Sequence, residues 1–373
     1  MPVKTRPDIW IIICALLLLG LGIVMIFSSS AVIAIEKHGD SYYFLKRQGM
    51  WSLLGVLGMF AAMRFDYRFL KKRIWLIYAL VLSALVLVYA PGLGVNVNGA
   101  KRWINLGFAT VQPSEVAKLG IVIFFAGFLA KKEEENTIKD FVFGYMPNLV
   151  ALLVVFILIQ LQPDLGTAMI IGMVSFTMFL ISGVRGRYLA GTFLLALPIL
   201  WAAVYNVGYR RRRILSFLNP WDDASDSGYQ IIQSFVALAK GGVLGVGLGN
   251  GRQKLFYLPE PHTDFIFSII GEELGLVGAL TVVGLFLILA WRGIRAGLMA
   301  QDRFSSLLAL GITFTITIQA LLNISVIAGA MPTKGLPLPF ISLGGTALVM
   351  WLISVGLLAN ISEKAARPYL ERS

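Results

Sequence analysis

Charge, cysteine and histidine are scarce in this 373-residue chain. Only 14% of its residues are charged and 57% are hydrophobic, whereas an ordinary soluble domain is roughly 25% charged. A soluble chain of this length could not hide so much apolar side chain, which argues against a two-domain cytosolic enzyme. The single cysteine, Cys14, cannot form an intrachain disulfide. Two histidines, His38 and His262, cannot assemble a Cys/His metal site. No Walker A pattern occurs, and a dinucleotide fingerprint begun at Gly245 would need glycine where Asn250 stands. No nucleotide cofactor is therefore expected. The glycine-rich run from Gly241 to Gly251 reads better as loop packed against helices.

Apolar runs are what the chain has in abundance. No charge falls between Asp8 and Glu36, a stretch well beyond the ~20 residues that cross a bilayer and too long for a cleaved signal sequence. Further runs follow at about 48–63, 74–90, 111–130, 148–161, 165–183, 188–207, 264–290, 305–330 and 337–361. In lipid the backbone must satisfy itself within each segment, and these runs are too long and uniform for barrel strands. The expectation is an all-α polytopic membrane protein of ten transmembrane helices, one integral domain over 1–373. Counted from a cytoplasmic N-terminus, alternate segments hold 18 Lys and Arg against 13 on the other side, and seven of those 13 sit between Arg210 and Lys254. This bias puts both termini in the cytoplasm and accounts for most of the net charge of +12 without nucleic acid. One long extracytoplasmic loop, about 208–262, separates helices 7 and 8. Its aromatic content argues for order and for an amphipathic helix along the membrane surface.

Polar residues gather toward the outer face. In the run 258–267, Asp264 opens the eighth span after two prolines, with Glu260 between them. Its plainest role there is to cap the helix and complement its dipole. Glu272 and Glu273 lie deeper in the same span, where carboxylates call for a partner or a cavity. Pro113 suits a first helical turn, and Glu115 and Lys118, three apart, share one helix face. These two make either a self-satisfied ion pair or the wall of a polar cavity. Arg102 beside Trp103, Lys334 between two prolines, and the cluster Arg210 to Arg213, including Arg212, add outward cations. Each alone is most simply an interfacial charge. Asp164, in a tight outward turn, is most simply a helix cap. Together these groups make a surface for an anionic, lipid-linked substrate.

At these residues the sequence resembles the SEDS family of bacterial membrane proteins (shape, elongation, division, sporulation). The motifs are the runs 99–104, 112–118, 162–166, 259–267, 271–275 and 336–345. The runs 256–261 and 332–335 look most like the division and sporulation branch. Leu343 stands where the family's Ile-Ser-x-Gly-Gly motif usually has tyrosine. The resemblance implies a peptidoglycan glycosyltransferase in the bacterial cytoplasmic membrane, enriched at the septum if it serves division. It would polymerise lipid II beside a class B penicillin-binding transpeptidase. It also implies that Asp264 is the essential aspartate and that Glu115 and Lys118 line the cavity. Asp264 would then act as general base on the acceptor 4-hydroxyl. Arg102, Lys118, Lys334 and members of the 210–213 cluster would hold the pyrophosphates. A divalent cation (Mg or Mn) could assist, though the sequence has no dedicated cage for one. Two rival readings share this topology: a lipid II flippase, suggested by the short, proline-interrupted spans five and six, and a noncatalytic scaffold for the transpeptidase.

Overall fold

The computed structural model describes residues 6–97, 100–107, 109–224, 228–255, 257–259 and 261–365. Its helices are α1 (Ile9–His38), α2 (Tyr43–Arg64), the short α3 (Arg68–Lys72), α4 (Ile74–Leu87), α5 (Pro113–Glu134), α6 (Met146–Leu161), α7 (Leu165–Ile181) and α8 (Gly186–Tyr205). Then come α9 (Gly208–Leu218), α10 (Tyr229–Gly241), α11 (Ile266–Leu298), α12 (Arg303–Ile327) and α13 (Gly345–Ala365). Each of the ten apolar runs contains a helix. Among the described residues, six helices are long and apolar enough to cross a membrane: α1, α5, α6 with the π-helical turn Phe141–Tyr145 before it, α11, α12 and α13. α4 and α7 are apolar but shorter, at 14 and 17 residues. Side-chain caps mark several starts: Asp8 accepts from Trp10 N at 3.1 Å, and Asp302 and Ser305 form a reciprocal capping box at α12.

One departure from the sequence reading stands out, and the order expected in the long loop takes shape. The fold is not purely helical: β1 (Gly94–Val97), β2 (Ala100–Asn105) and β3 (Thr110–Val111) form a small antiparallel sheet in the order β1-β2-β3. The alternation of Lys101, Trp103 and Asn105 with Arg102 and Ile104 suits a half-buried strand, but the segment is short beside its apolar neighbours. The expected long loop also carries structure, in α9, a 3₁₀ turn over Pro220–Asp223, and α10. α10 buries Ile231, Ile232, Ser234 and Ala237 and packs chiefly on α11.

α5 is the central helix. Its buried residues run almost unbroken from Pro113 to Ala130, with α4, α7, α12 and α13 around it. Any charge on α5 is therefore placed in the interior. α11 is broken at Gly275, whose φ of 68° and ψ of −165° are not helical. The freed backbone groups are taken up by the segment after α10. Leu276 and Val277 donate to Gly242 O and Val243 O, while Val246 and Gly247 donate to Glu272 O and Glu273 O, at 3.0–3.2 Å. A Cβ on Gly275 would sit 2.3 Å from Gly245 N, so this close approach requires glycine. The break is tolerable at membrane depth because the incoming strand replaces each lost hydrogen bond. The same segment is clamped by side chains. Glu273 pairs with Lys254 at 2.6 Å and accepts from Ser28 Oγ and Gly249 N. Glu272 accepts from Arg252 N and Gln253 N. The glycine-rich run is thus a packed insert in α11, with the two buried glutamates as its anchors.

The bundle has two unlike ends. At one, ion pairs join elements remote in sequence: Asp8 with Arg292, Glu133 with Arg303, Glu134 with Lys71 and Asp66 with Lys364. Lys364 donates to Asp66 and holds that carboxyl below the ordinary carboxylate range. Both the start of α1 and the end of α13 lie at this ion-paired end. The opposite end carries the sheet, the start of α5, the end of α12 and the polar residues singled out above.

Candidate functional site

The site is built around the turn 261–265, which precedes α11. Two elements, the 332–344 segment and α12, hold its main chain. Ser342 Oγ donates to Thr263 O at 2.6 Å, Leu343 N donates to His262 O at 2.9 Å, and Asn323 Nδ2 donates to Asp264 O at 2.8 Å. These contacts keep the turn from joining the helix until Ile266. Asp264 consequently does not cap α11, whose N-cap position, Phe265, makes no side-chain cap bond. That corrects the plainest sequence reading. The half-buried carboxylate instead lies over Gly335, where an added Cβ would stand 2.8 Å from Asp264 Oδ2. At position 343 the contact is made by a backbone N–H, which leucine supplies as well as tyrosine would.

The segment 332–344 forms the other wall. Ser342 and Leu338 close a turn, with Leu338 N on Ser342 Oγ at 2.8 Å and Ser342 N on Leu338 O at 3.0 Å. Phe340, fully buried, takes a φ of 66°, a conformation that a bulky side chain rarely adopts. Lys334 is half-buried, with its ammonium against Met169 of α7. From α9, Arg213 donates to Thr333 O at 3.2 Å. The arginine cluster thus reaches the Lys334 segment through Arg213, while Arg212 is exposed. The Arg210 side chain and all of Glu260 lie outside the described residues.

Beneath this surface lies the pair from α5. Glu115 and Lys118, each 4% exposed, meet at 2.7 Å. Lys118 also donates to Gln319 Oε1 at 2.7 Å and stands 4.5 Å from the Trp351 ring centre. They adjoin a small cavity also lined by Leu119, Thr315 and Ser354. The ion pair and the cavity wall, alternatives in the sequence, coexist. Gln319 passes the network on, donating to Pro337 O at 2.8 Å. One turn later on α12, Asn323 Nδ2 bridges Asp264 O and Leu336 O. A polar path therefore runs from Glu115 through Lys118 and Gln319 to the Leu336–Pro337 backbone, which Asn323 ties to the backbone of Asp264. The sequence reading overlooked Gln319 and Asn323. The signal was two amides four residues apart inside an apolar span, where polar side chains seek partners across helices.

Arg102 and Asp164 brace the site. Arg102 donates through Nε to Gln162 O at 3.0 Å and through Nη2 to Pro163 O at 2.6 Å, so two of its donors hold the α6–α7 turn. Asp164 caps α7, accepting from Thr167 N at 3.1 Å and Thr167 Oγ1 at 2.8 Å, in line with its simplest sequence reading. Among the described residues, no three His, Cys, Asp or Glu side chains converge.

An aspartate displayed over a glycine, a cation on the same segment and a buried acid–base pair below it form one constellation drawn from α5, α11, α12 and the 332–344 segment. Residues 8–367 match the family model described as cell cycle protein, of the FtsW, RodA and SpoVE type. The chain belongs to the FtsW/RodA/SpoVE family. This is the SEDS family indicated by the motifs, and with the six apolar helices it makes the chain a multi-pass membrane protein. Among FtsW/RodA/SpoVE relatives, the chain is 48% identical to a probable peptidoglycan glycosyltransferase FtsW of Geobacter sulfurreducens, covering 96% of each. It is 43% identical to stage V sporulation protein E of Bacillus subtilis, covering 96% of this chain and 98% of the relative. A chain of a peptidoglycan synthase complex, solved to describe how polymerization and crosslinking are coordinated, superposes with a TM-score of 0.80 at 30% identity. That match covers 96% of this chain and 98% of the other.

Proposed function

We propose that this protein is a peptidoglycan glycosyltransferase that polymerises lipid II at the outer face of the cytoplasmic membrane. The observation that carries the reading is the Asp264 carboxylate, in a turn held by Ser342, Leu343 and Asn323, lying over Gly335 of the Lys334 segment instead of capping its own helix. In this reading the helices of all ten apolar runs cross the membrane, the chain is a single membrane domain, the termini are cytoplasmic, and the Asp264 end faces outward.

The chemistry follows from the leaving group. A polyprenyl pyrophosphate departs readily once its charge is stabilised, so the paired carboxylic acids of a glycosidase are not needed. Asp264 takes the proton from the acceptor 4-hydroxyl as that oxygen attacks the donor anomeric carbon with inversion. Lys334 and Arg212, with Arg213 anchoring Thr333, bind the pyrophosphates. Lys118 and Glu115 act from below, through Gln319. Arg102 and Asp164 serve by bracing the α6–α7 turn beside the substrate. Arg210 and Glu260 are further candidates for binding the substrate, by their place in the sequence. If a divalent cation takes part, Asp264 and the substrate's own pyrophosphate are what would hold it. A class B penicillin-binding transpeptidase is the partner, and for a division enzyme the complex is enriched at the septum.

Purified protein supplied with lipid II in liposomes tests this, with and without that transpeptidase. Glycan polymer should form, and Asp264→Asn, folded normally, should lose at least ~100-fold in rate. Substrate crossing without polymer would point to a flippase. A parental rate for Asp264→Asn would remove the base assignment.

A further inference from the structure

A second cavity, of about 350 Å³, lies at the ion-paired end, far from Asp264. Arg6, Asp8 and Trp10 line it from the start of α1, Arg292 and Arg295 from the end of α11, and Ser362 from the end of α13. Its charge is lopsided, three arginines against one carboxylate. Asp8 is already engaged: Oδ2 accepts from Arg292 Nε at 2.6 Å, Oδ1 accepts from Trp10 N at 3.1 Å, and its N–H donates to Ser362 Oγ at 3.0 Å. Arg292 is correspondingly committed to Asp8. Arg6 and Arg295, both exposed, make no ion pair with any described residue. Among the described residues, nothing neutralises these two cations.

The surroundings narrow the choice of anion. Next to the recess, Ile9, Trp10, Trp291 and Leu298 are each more than half exposed, on helices long and apolar enough to span a bilayer. Indole rings at the ends of such helices sit at headgroup level. A free phosphate would engage the arginines alone and leave this apolar border unused. A diacyl lipid would use both. The volume also suits a phosphodiester headgroup better than a bare ion.

We propose that this recess binds the headgroup of an anionic phospholipid, with the phosphate between Arg6 and Arg295 and the acyl chains along the exposed apolar face of α1 and α11. The lipid belongs to the leaflet opposite Asp264, and it ties the start of α1 to the ends of α11 and α13. The site is independent of the glycosyltransfer reaction.

The test is native mass spectrometry of the full-length protein in detergent, given equal amounts of palmitoyl-oleoyl phosphatidylglycerol and phosphatidylcholine. The parent should retain phosphatidylglycerol preferentially. Arg6→Gln combined with Arg295→Gln should lose about twentyfold of that preference, at an unchanged thermal midpoint because the Asp8–Arg292 pair is kept. Arg64→Gln with Lys72→Gln, exposed at the same end but outside the recess, should retain it. Equal retention of the two lipids by the parent, an undiminished preference in the recess variant, or the same loss in the control variant would overturn the proposal. Displacement of phosphatidylglycerol by inorganic phosphate would also overturn it, reducing the recess to a plain anion site.

Discussion

Asn323 holds two carbonyls with a single amide nitrogen, Asp264 O at 2.8 Å and Leu336 O at 2.7 Å. Both amide protons are thereby used, and the side chain is almost fully buried. A leucine of similar size would leave two acceptors without a donor, each costing about 1–3 kcal/mol, and would release the turn that aims the Asp264 carboxylate. Misplacing a catalytic group by even ~1 Å lowers rates by about 100-fold. Asn323→Leu should therefore reduce kcat for lipid II polymerisation by tenfold or more, and KM should rise as well, because the Lys334 segment loses its tie at Leu336 O. Initial rates against lipid II concentration would show this, and a parental kcat would mean that the turn is held without Asn323. At this scale the sequence was informative where a residue's chemistry is unusual for its place. A lysine inside a span and a carboxylate at a proline-flanked span entry are conspicuous in an apolar chain. An amide is less so, because Gln319 and Asn323 acquire meaning only when the 332–344 segment, remote from Asp264 in the chain, folds back over the turn. Arg102 shows the converse: an outward cation by position proves to serve two carbonyls of a neighbouring turn.

Among the elements, α11 is the one whose form depends most on another segment. Its break at Gly275 leaves backbone groups that Gly242, Val243, Val246 and Gly247 must satisfy, and the Glu273–Lys254 pair fixes the segment that supplies them. Glu273 is fully buried. Replacing it by leucine would strand the Lys254 ammonium in the interior, and breaking such a pair costs about 3–5 kcal/mol. Glu273→Leu should accordingly lower the thermal midpoint in detergent and expose the 241–255 stretch to limited proteolysis, whereas Glu273→Gln, which keeps an acceptor for Ser28 and Gly249, should do so less. Equal protease resistance in all three proteins would mean that the exchanged backbone bonds suffice alone. None of this pairing is visible in local pattern, since the 266–298 stretch reads as one long apolar helix and the glycines as loop. The small sheet was missed for a related reason, and of the helices in the 208–262 loop only one amphipathic helix, without bounds, was foreseen. They lie between apolar runs, where periodicity is weak and pairing with distant segments decides.

For the whole molecule, the division into a fastened end and an open, polar end follows from charge placement. Ion pairs between α1 and α11, α5 and α12, and α13 and the α2–α3 turn join helices that are far apart in sequence. The end with Asp264 carries the sheet and the turns 261–265 and 332–344. The ten apolar runs and the lysine and arginine bias were legible beforehand because the bilayer imposes length and polarity on every crossing segment. Which helix is central was not, because α5 and its neighbours are apolar alike and only packing distinguishes them. The proposed orientation makes a direct prediction. Cys14 is the sole cysteine in the sequence and is 1% exposed, so a reactive thiol can be introduced over a low background. Lys101, exposed on β2, lies at the end carrying the sheet, on the side assigned outward. Lys139, also exposed, lies between α5 and α6, on the side assigned inward. In intact cells a membrane-impermeant maleimide should label Lys101→Cys, and it should reach Lys139→Cys only after permeabilisation. Labelling of both positions in intact cells, or the reverse pattern, would place the carboxylate of Asp264 on the side away from the outer leaflet and detach this fold from extracytoplasmic glycan synthesis.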